Sequence, residues 1–277
     1  MTDDRRYVLI QISDVHLVTQ GLLHGYIEPF RNLETILSQI EDSGIHPDAL
    51  LLSGDLADAG ESSAYAQLRA TVGNAARRLG AMVVYLPGNH DLRQRFREEL
   101  LDGLPADGPL DQVAWCGELR IIALDSSRAN QDHGELSDTQ LERLAAELAT
   151  PAPHGTILAL HHPPIPSPIE FMSQIALREP ERLGELIAGS DVRIVLAGHN
   201  HHGSAGLLAG VPVFVAPAAS YQMDVLLQGP GFRGLEGSAF ARIDVTRRDV
   251  VATIVPAYPR RSGSCVTSSA RPASPKA

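Results

Sequence analysis

Cysteine is nearly absent from this chain: in 277 residues there are two, Cys116 and Cys265. Neither sits in a Cys-x-x-Cys pair, which argues against a disulfide framework and against a thiolate zinc site. So low a count suits a reducing compartment, and a cytoplasmic location is expected. Long apolar runs are missing as well. No stretch reaches the ~20 residues that cross a bilayer, and the charged residues 1–6 lead straight into a short strand-like run. No signal segment and no transmembrane segment is expected. Positive charge is in deficit, with 23 Lys and Arg against 33 Asp and Glu and a formal net charge of −10. Residues 257–277 carry Arg260, Arg261, Arg271 and Lys276 and no acid, so the body before them is more acidic than the whole. Such a body repels a long polyanion, and no nucleic-acid polymer is expected as partner.

What is present reads as one globular unit. Apolar residues make up 44% and charged residues 20% of the chain, which is enough to bury a sizeable core. A short β-rich run at 7–13 is followed by Phe30, Leu33, Ile36, Leu37 and Ile40 at helical spacing, with Gly44 as a stop. The apolar run Ala49–Ser53, a second helical pattern through Leu68, Val72, Ala75 and Leu79, and the run Met82–Leu86 complete a β-α-β-α-β unit, the signature of a parallel sheet. Further strands are predicted at Leu119–Leu124, Thr156–Leu160, Val192–Ala197, Val211–Val215, Ala239–Val245 and 250–255. Ser137 and Gln140 form a capping box, flanked by Leu136 and Leu141 as a hydrophobic staple, and predict a helix to about residue 149. Another helix is predicted near 180–188. The domain is drawn at 1–256. The Ser-, Pro- and Arg-rich segment 257–277 reads as a disordered tail.

Five short polar segments stand out against this pattern. They are Asp14-Val15-His16, Gly54-Asp55, Gly88-Asn89-His90-Asp91, His161-His162 and Gly198-His199-Asn200-His201. Each begins where an apolar strand ends, and in open α/β sheets ligands gather beyond the carboxyl ends of the strands. Carboxylates, imidazoles and one amide are the donor set for two adjacent first-row divalent metals. A metal pair clamps attacking and leaving oxygens in one displacement, the chemistry of phosphate-ester hydrolysis. It also makes a site locally positive, so a small anionic substrate is compatible with an acidic body. Asp14 and His16 lie two apart, as do His199 and His201, and in extended backbone each pair faces one way. The glycines before Asp55, Asn89 and His199 allow sharp turns. Any one segment alone is an ordinary turn; five in this order, all at strand ends, are not.

The ordered set resembles that of the calcineurin-like metallophosphoesterases, over residues 7–255. Within it, Pro47-Asp48-Ala49, Leu56-Ala57-Asp58, the run from Gly155 to Pro164 and Leu196-Ala197-Gly198-His199 resemble the bacterial class III cyclic nucleotide phosphodiesterases. The resemblance implies a four-layer α/β/β/α sandwich of two mixed sheets, with a dimetal site at one edge. It implies that Asp14, His16, Asp55 and His201 hold one metal and Asp55, Asn89, His161 and His199 the other. Asp55 then bridges with its two oxygens. Iron or manganese is expected, with zinc as an alternative. A metal-bridging hydroxide would attack phosphorus in line. His90 matches the family's catalytic histidine and would be the general acid, and Asn89, His90 and His201 would contact the substrate. The implied activity is hydrolysis of 3′,5′-cyclic nucleotides, cAMP foremost, to 5′-nucleotides. Two other readings remain: a broader diesterase acting on 2′,3′-cyclic nucleotides or glycerophosphodiesters, and a non-catalytic scaffold. The complete ligand set counts against the scaffold. A homodimer is also implied, with the apolar segment 211–227 as its candidate surface. Of the other histidines, His162 reads as support for a neighbouring ligand, His202 as the same or simply exposed, His133 as a surface-loop residue with substrate contact as the alternative, and His24, His46 and His154 as turn residues without a function.

Overall fold

The computed structural model describes residues 5–102, 108–227, 229 and 231–258. In chain order the first elements are β1 (Tyr7–Ile12), α1 (Pro29–Asp42), β2 (Ala49–Ser53), α2 (Ser62–Leu79), β3 (Met82–Leu86) and α3 (Arg93–Leu100). Then come β4 (Gln112–Cys116), β5 (Leu119–Leu124), α4 (Asp138–Leu148), β6 (Thr156–Leu160), α5 (Glu170–Gln174), α6 (Pro180–Ile187) and β7 (Val192–Ala197). The chain closes with β8 (Ser204–Leu208), β9 (Val211–Val215), β10 (Gln222–Met223), β11 (Gly234–Leu235), β12 (Ala239–Val245) and β13 (Val250–Pro256).

Two mixed sheets carry the fold. One runs β13-β12-β1-β2-β3 and the other β4-β5-β6-β7-β9-β8, while β10 and β11 form a small ribbon. β1, β2 and β3 are mutually parallel, and so are β5, β6, β7 and β9. Strand alternation builds the layers. Leu9, Leu51 and Val84 of the first sheet meet Ile121, Ala159 and Leu196 of the second in a core between the sheets. The opposite face of the first sheet, with Ile10, Leu50 and Leu52, packs on Leu33 and Ile36 of α1 and Leu68 and Val72 of α2. Ile122, Leu158 and Val195 of the second sheet pack on Leu141 and Leu144 of α4 and Leu183 and Ile187 of α6. The result is the four-layer α/β/β/α sandwich. Both faces of the central strands are covered, so they read as continuous apolar runs.

A polar side chain, Gln11, crosses the core between the sheets at their carboxyl ends. Gln11 of β1 donates to Ser53 Oγ at 3.0 Å and to the Ala197 carbonyl at 2.9 Å. It ties the carboxyl ends of β1, β2 and β7 together, so the segments after these strands open on one another.

One expectation changes. The segment 211–227 is largely interior: Val211, Val213, Phe214, Val215, Tyr221 and Met223 are buried, leaving Val225 and Leu226 as its exposed large apolar side chains. Val211–Val215 is apolar because it is a covered strand of the second sheet, so the segment offers little surface to a second copy. The two described residues after the expected boundary at 256 are tied to the body. The Ala257 amide donates to the Ser238 carbonyl at 2.8 Å and the Tyr258 amide to Gln39 Oε1 at 3.0 Å. The folded unit therefore extends at least to Tyr258. The remainder of the tail, with Cys265 and its four basic residues, lies outside the described residues, as does any statement of its order. Finally, no helix among the described residues is long and apolar enough to cross a membrane.

Candidate metal centre

The loops after the strands are held in unusual backbone. Asp14, His16, Asp55, His199 and His201 have φ between 48° and 70°, and they are five of the nine non-glycine residues with positive φ among those described. An L-residue pays roughly 1–2 kcal/mol for that region. The extended geometry expected for Asp14–His16 and His199–His201 is thus replaced by left-handed turns. The cause is pairing between loops: the Asp14 amide donates to the Gly54 carbonyl at 3.0 Å and the His16 amide to the Asp55 carbonyl at 2.9 Å. The neighbouring glycines are required by contact. A Cβ on Gly54 would overlap the His161 ring, and one on Gly88 would overlap the Asp55 carboxylate.

All seven sequence-predicted donor residues come to this edge. Asp55 Oδ2 lies 3.6 Å from His16 Nε2 and 3.3 Å from His161 Nε2, between the two halves of the site. Its Oδ1 accepts the His90 amide at 2.8 Å. Oδ2 is therefore the oxygen that faces imidazoles of both halves, while Oδ1 is also tied to the Asn89–His90 loop. Asp14 Oδ1 stands 3.5 Å from His201 Nε2 and 4.0 Å from His161 Nε2, and both Asp14 oxygens accept the His199 amide at 3.1 and 3.0 Å. Asp14, Asp55, His16, His161, His199 and His201 are all buried. Asn89 is carried between Gly88, which packs on Asp55, and His90.

The free atoms of this set fit metal ions. Asn89 Oδ1, His161 Nε2 and His199 Nε2 are buried with no hydrogen-bond partner, a costly state for a polar atom unless something else binds it. His161 Nδ1 donates to the Ser53 carbonyl at 2.8 Å, which leaves its Nε2 as the lone-pair nitrogen. His16 Nδ1 pairs with Asp58 Oδ1 at 3.0 Å and His201 Nδ1 with the Tyr221 carbonyl at 3.1 Å. The Nε2 atoms of His16 and His201 then face each other at 3.1 Å. Burial opposes charge on His16, but Asp58, Asp55 and Asp14 outweigh it and raise the ring, so His16 Nε2 can donate its proton to His201 Nε2, and a cation taken up here would replace that proton. Acceptors behind each imidazole are the usual orienting layer of a metal site.

Electrostatics agree. Burial raises the Asp14 carboxyl above its ordinary value, although His161 beside it pulls it down. At Asp55 burial pushes the same way, but His161, His90 and His16 outweigh it and hold the carboxyl well below the usual range. Burial lowers His199 to about 3, with the charge of His161 adding to the effect. Burial and His16 push His201 well below its ordinary value. His161 goes the other way: burial is overcome by Asp55 and Asp14, and the ring is raised to about 9. A metal taken up here exchanges for that proton.

Behind the donors lies a layer that motif reading did not assign. Asp91 is buried and accepts from the amides of Leu56, Ala57 and Gly88 at 2.9–3.2 Å and from the Tyr65 hydroxyl at 2.9 Å. It fastens the Asp55 loop to the Asn89 loop. Burial, with the Asp55 charge, raises its carboxyl to about 6. The Tyr65 hydroxyl also accepts the Leu92 amide at 3.1 Å. Asp58 carries His16 on its carboxylate, and its carbonyl accepts His90 Nδ1 at 2.8 Å. The Tyr221 ring lies 4.3 Å from the His201 ring. His162 has both nitrogens engaged, with Ser126 Oγ at 2.8 Å and the Asp132 carbonyl at 3.2 Å, and His202 sits between Ser167 and Ser204. Both are supporting residues, as expected. His133 is half-buried, His46 and His24 are exposed, and His154 pairs with Glu118 at 3.3 Å.

A carboxylate set between two groups of imidazoles, at the joined edges of two sheets, defines a dinuclear hydrolase. The chain belongs to the calcineurin-like phosphoesterase family, whose model matches residues 7–203. It is 44% identical over 252 residues to the Mycobacterium tuberculosis protein named cAMP/cGMP dual specificity phosphodiesterase, a match covering 90% of this chain and 79% of that one. Against the Escherichia coli protein named 3′,5′-cyclic adenosine monophosphate phosphodiesterase CpdA it is 31% identical over 204 residues, covering 73% and 72%. The crystal structure of a dimetal phosphatase from Danio rerio shares the fold with a TM-score of 0.61 at 13% identity, covering 89% of this chain and 98% of that one.

Proposed function

We propose that this chain hydrolyses 3′,5′-cyclic nucleotides, cAMP foremost, to 5′-nucleotides. The observation that carries the chemistry is the set of buried, unpartnered donor atoms on Asn89, His161 and His199, with the Asp55 carboxylate lying between His161 and His16. The substrate class is supported by the names of the mycobacterial and E. coli relatives. Asp14, His16, Asp55 and His201 would hold one metal and Asp55, Asn89, His161 and His199 the other. Iron or manganese suits these nitrogen and oxygen donors, and zinc is the alternative. Bound there, the pair would supply positive charge and an acidified water.

The chain's own residues do the rest. His90 is 42% exposed at its side chain, so it faces the mouth. Its Nδ1 donates to the Asp58 carbonyl, and Nε2 is left to meet the substrate. As the new P–O bond forms and the P–O3′ bond breaks, His90 Nε2 gives its proton to the departing 3′-oxygen. Asn89 and His201 flank the phosphate. The test is a hydrolysis panel on metal-loaded protein with 3′,5′-cAMP, 2′,3′-cAMP, a glycerophosphodiester and a simple monoester. The expected order puts 3′,5′-cAMP first in kcat/KM. Preference for a glycerophosphodiester or 2′,3′-cAMP would replace this reading with a broader diesterase, and no turnover of any ester would leave a scaffold.

A further inference from the structure

His24 was assigned no function from sequence, yet the fold presents it deliberately. It occupies the tip of a closed turn. The Leu23 amide donates to the Ile27 carbonyl at 2.9 Å, the Ile27 amide to the Leu23 carbonyl at 3.0 Å, and the Gly25 amide to the Leu22 carbonyl at 3.1 Å. Leu23 and Ile27 are buried in a small apolar cluster with Tyr221, Met172 and Met223, so the turn has anchored feet. His24 itself is exposed and has φ 51°. A turn with fixed ends and a strained tip holds its side chain in place rather than letting it sweep.

The direction of that side chain is set by rings. The Tyr221 ring lies 4.3 Å from the His201 ring and 6.3 Å from the His16 ring, and the edge of His24 meets Tyr221 at 5.2 Å. Tyr221 thus touches two buried donors of the metal centre on one side and an exposed imidazole on the other. His24 also lies within electrostatic reach of Asp58, which carries His16. A phosphate held at the centre must send the rest of its molecule outward, along a wall of this kind. His24 makes none of the donor contacts of the centre, and a planar, exposed ring suits stacking against a base.

We propose that His24 contacts the nucleobase of the substrate and is a specificity residue for the nucleoside half; this rests on the cyclic-nucleotide reading above. A base–aromatic contact is sequence-tolerant, so it would favour nucleotides over base-free diesters without choosing sharply among purines.

The experiment compares 3′,5′-cAMP with ribose 3′,5′-cyclic phosphate, the same cyclic diester without its base. His24→Gly removes the ring and suits the left-handed backbone, and His24→Phe restores a planar face. The kcat/KM ratio of cAMP to the base-free diester is expected to fall roughly tenfold in His24→Gly, through KM rather than kcat, and to recover in His24→Phe. An unchanged ratio in His24→Gly overturns the assignment, as does an equal loss of kcat on both substrates. Wild-type protein that cleaves a glycerophosphodiester but neither cyclic phosphate overturns the cyclic-nucleotide reading and this assignment with it. An active wild type with an unchanged ratio in the variant overturns His24 alone.

Discussion

His90 and Asp55 are joined through the backbone, because the His90 amide donates to Asp55 Oδ1 at 2.8 Å. His90→Ala keeps that amide, so both metals should stay bound. Cyclic-nucleotide hydrolysis should fall roughly 10²–10⁴-fold, the range for a lost general acid. The loss should shrink for a diester with an activated phenol leaving group, which needs no proton. Equal losses on both, with metal content intact, would make His90 a phosphate-positioning residue instead. Asp55→Ala removes the carboxylate placed between the two halves of the site. Hydrolysis should vanish and metal analysis should find fewer than two ions per chain; two tightly held ions would defeat the bridging assignment. At this scale the donors were legible because each follows an apolar strand with little but glycine between. The residues behind them were not. Asp91 and Asp58 act on backbone amides and on rings from other segments, and Tyr65 reaches Asp91 across 26 positions of sequence. Spacing along one chain carries no trace of such contacts.

Helix α4 shows an element whose start is written in the sequence. The Gln140 amide donates to Ser137 Oγ at 3.3 Å, the Ser137 amide to Gln140 Oε1 at 3.1 Å, and Leu136 and Leu141 share one apolar cluster. Ser137→Ala should lower stability by about 1 kcal/mol in denaturant unfolding, the usual worth of an N-cap, and leave kcat alone. A change in kcat would mean that α4 is coupled to the site. Covered strands such as Ala49–Ser53 and Thr156–Leu160 were legible to the residue, since burial on both faces demands an unbroken apolar run. Edge and short elements were not. β4 and β8 are outer strands of the second sheet with mixed exposure, so their apolar signal is diluted. In α3 only Phe96 and Leu100 are buried, one contact pair and no longer period, and α5 has five residues. The β10–β11 ribbon pairs two residues with two and depends on the loop between them.

For the molecule as a whole, the described fold closes at Tyr258 and every candidate site residue lies before it. Truncation after Tyr258 should therefore leave kcat on a soluble substrate nearly unchanged. A large loss from a protein that still melts cooperatively would show that residues 259–277 complete the site or an assembly. The left-handed backbone concentrated at Asp14, His16, Asp55, His199 and His201 has a further consequence: the metal-free protein is frustrated at its own active edge. Two carboxylates are buried there beside polar atoms of Asn89 and His199 that have no partner, in backbone that L-residues avoid. Asp14→Asn makes the debt measurable. Asparagine accepts left-handed backbone more readily than most residues, its carbonyl can still take the His199 amide, and its amide can donate to His201 Nε2 where the carboxylate could not. With chelator present the variant should melt at a higher temperature than the parent; with metal supplied the order should reverse. A variant that melts lower under both conditions would mean that the buried Asp14 carboxylate costs the apoprotein nothing.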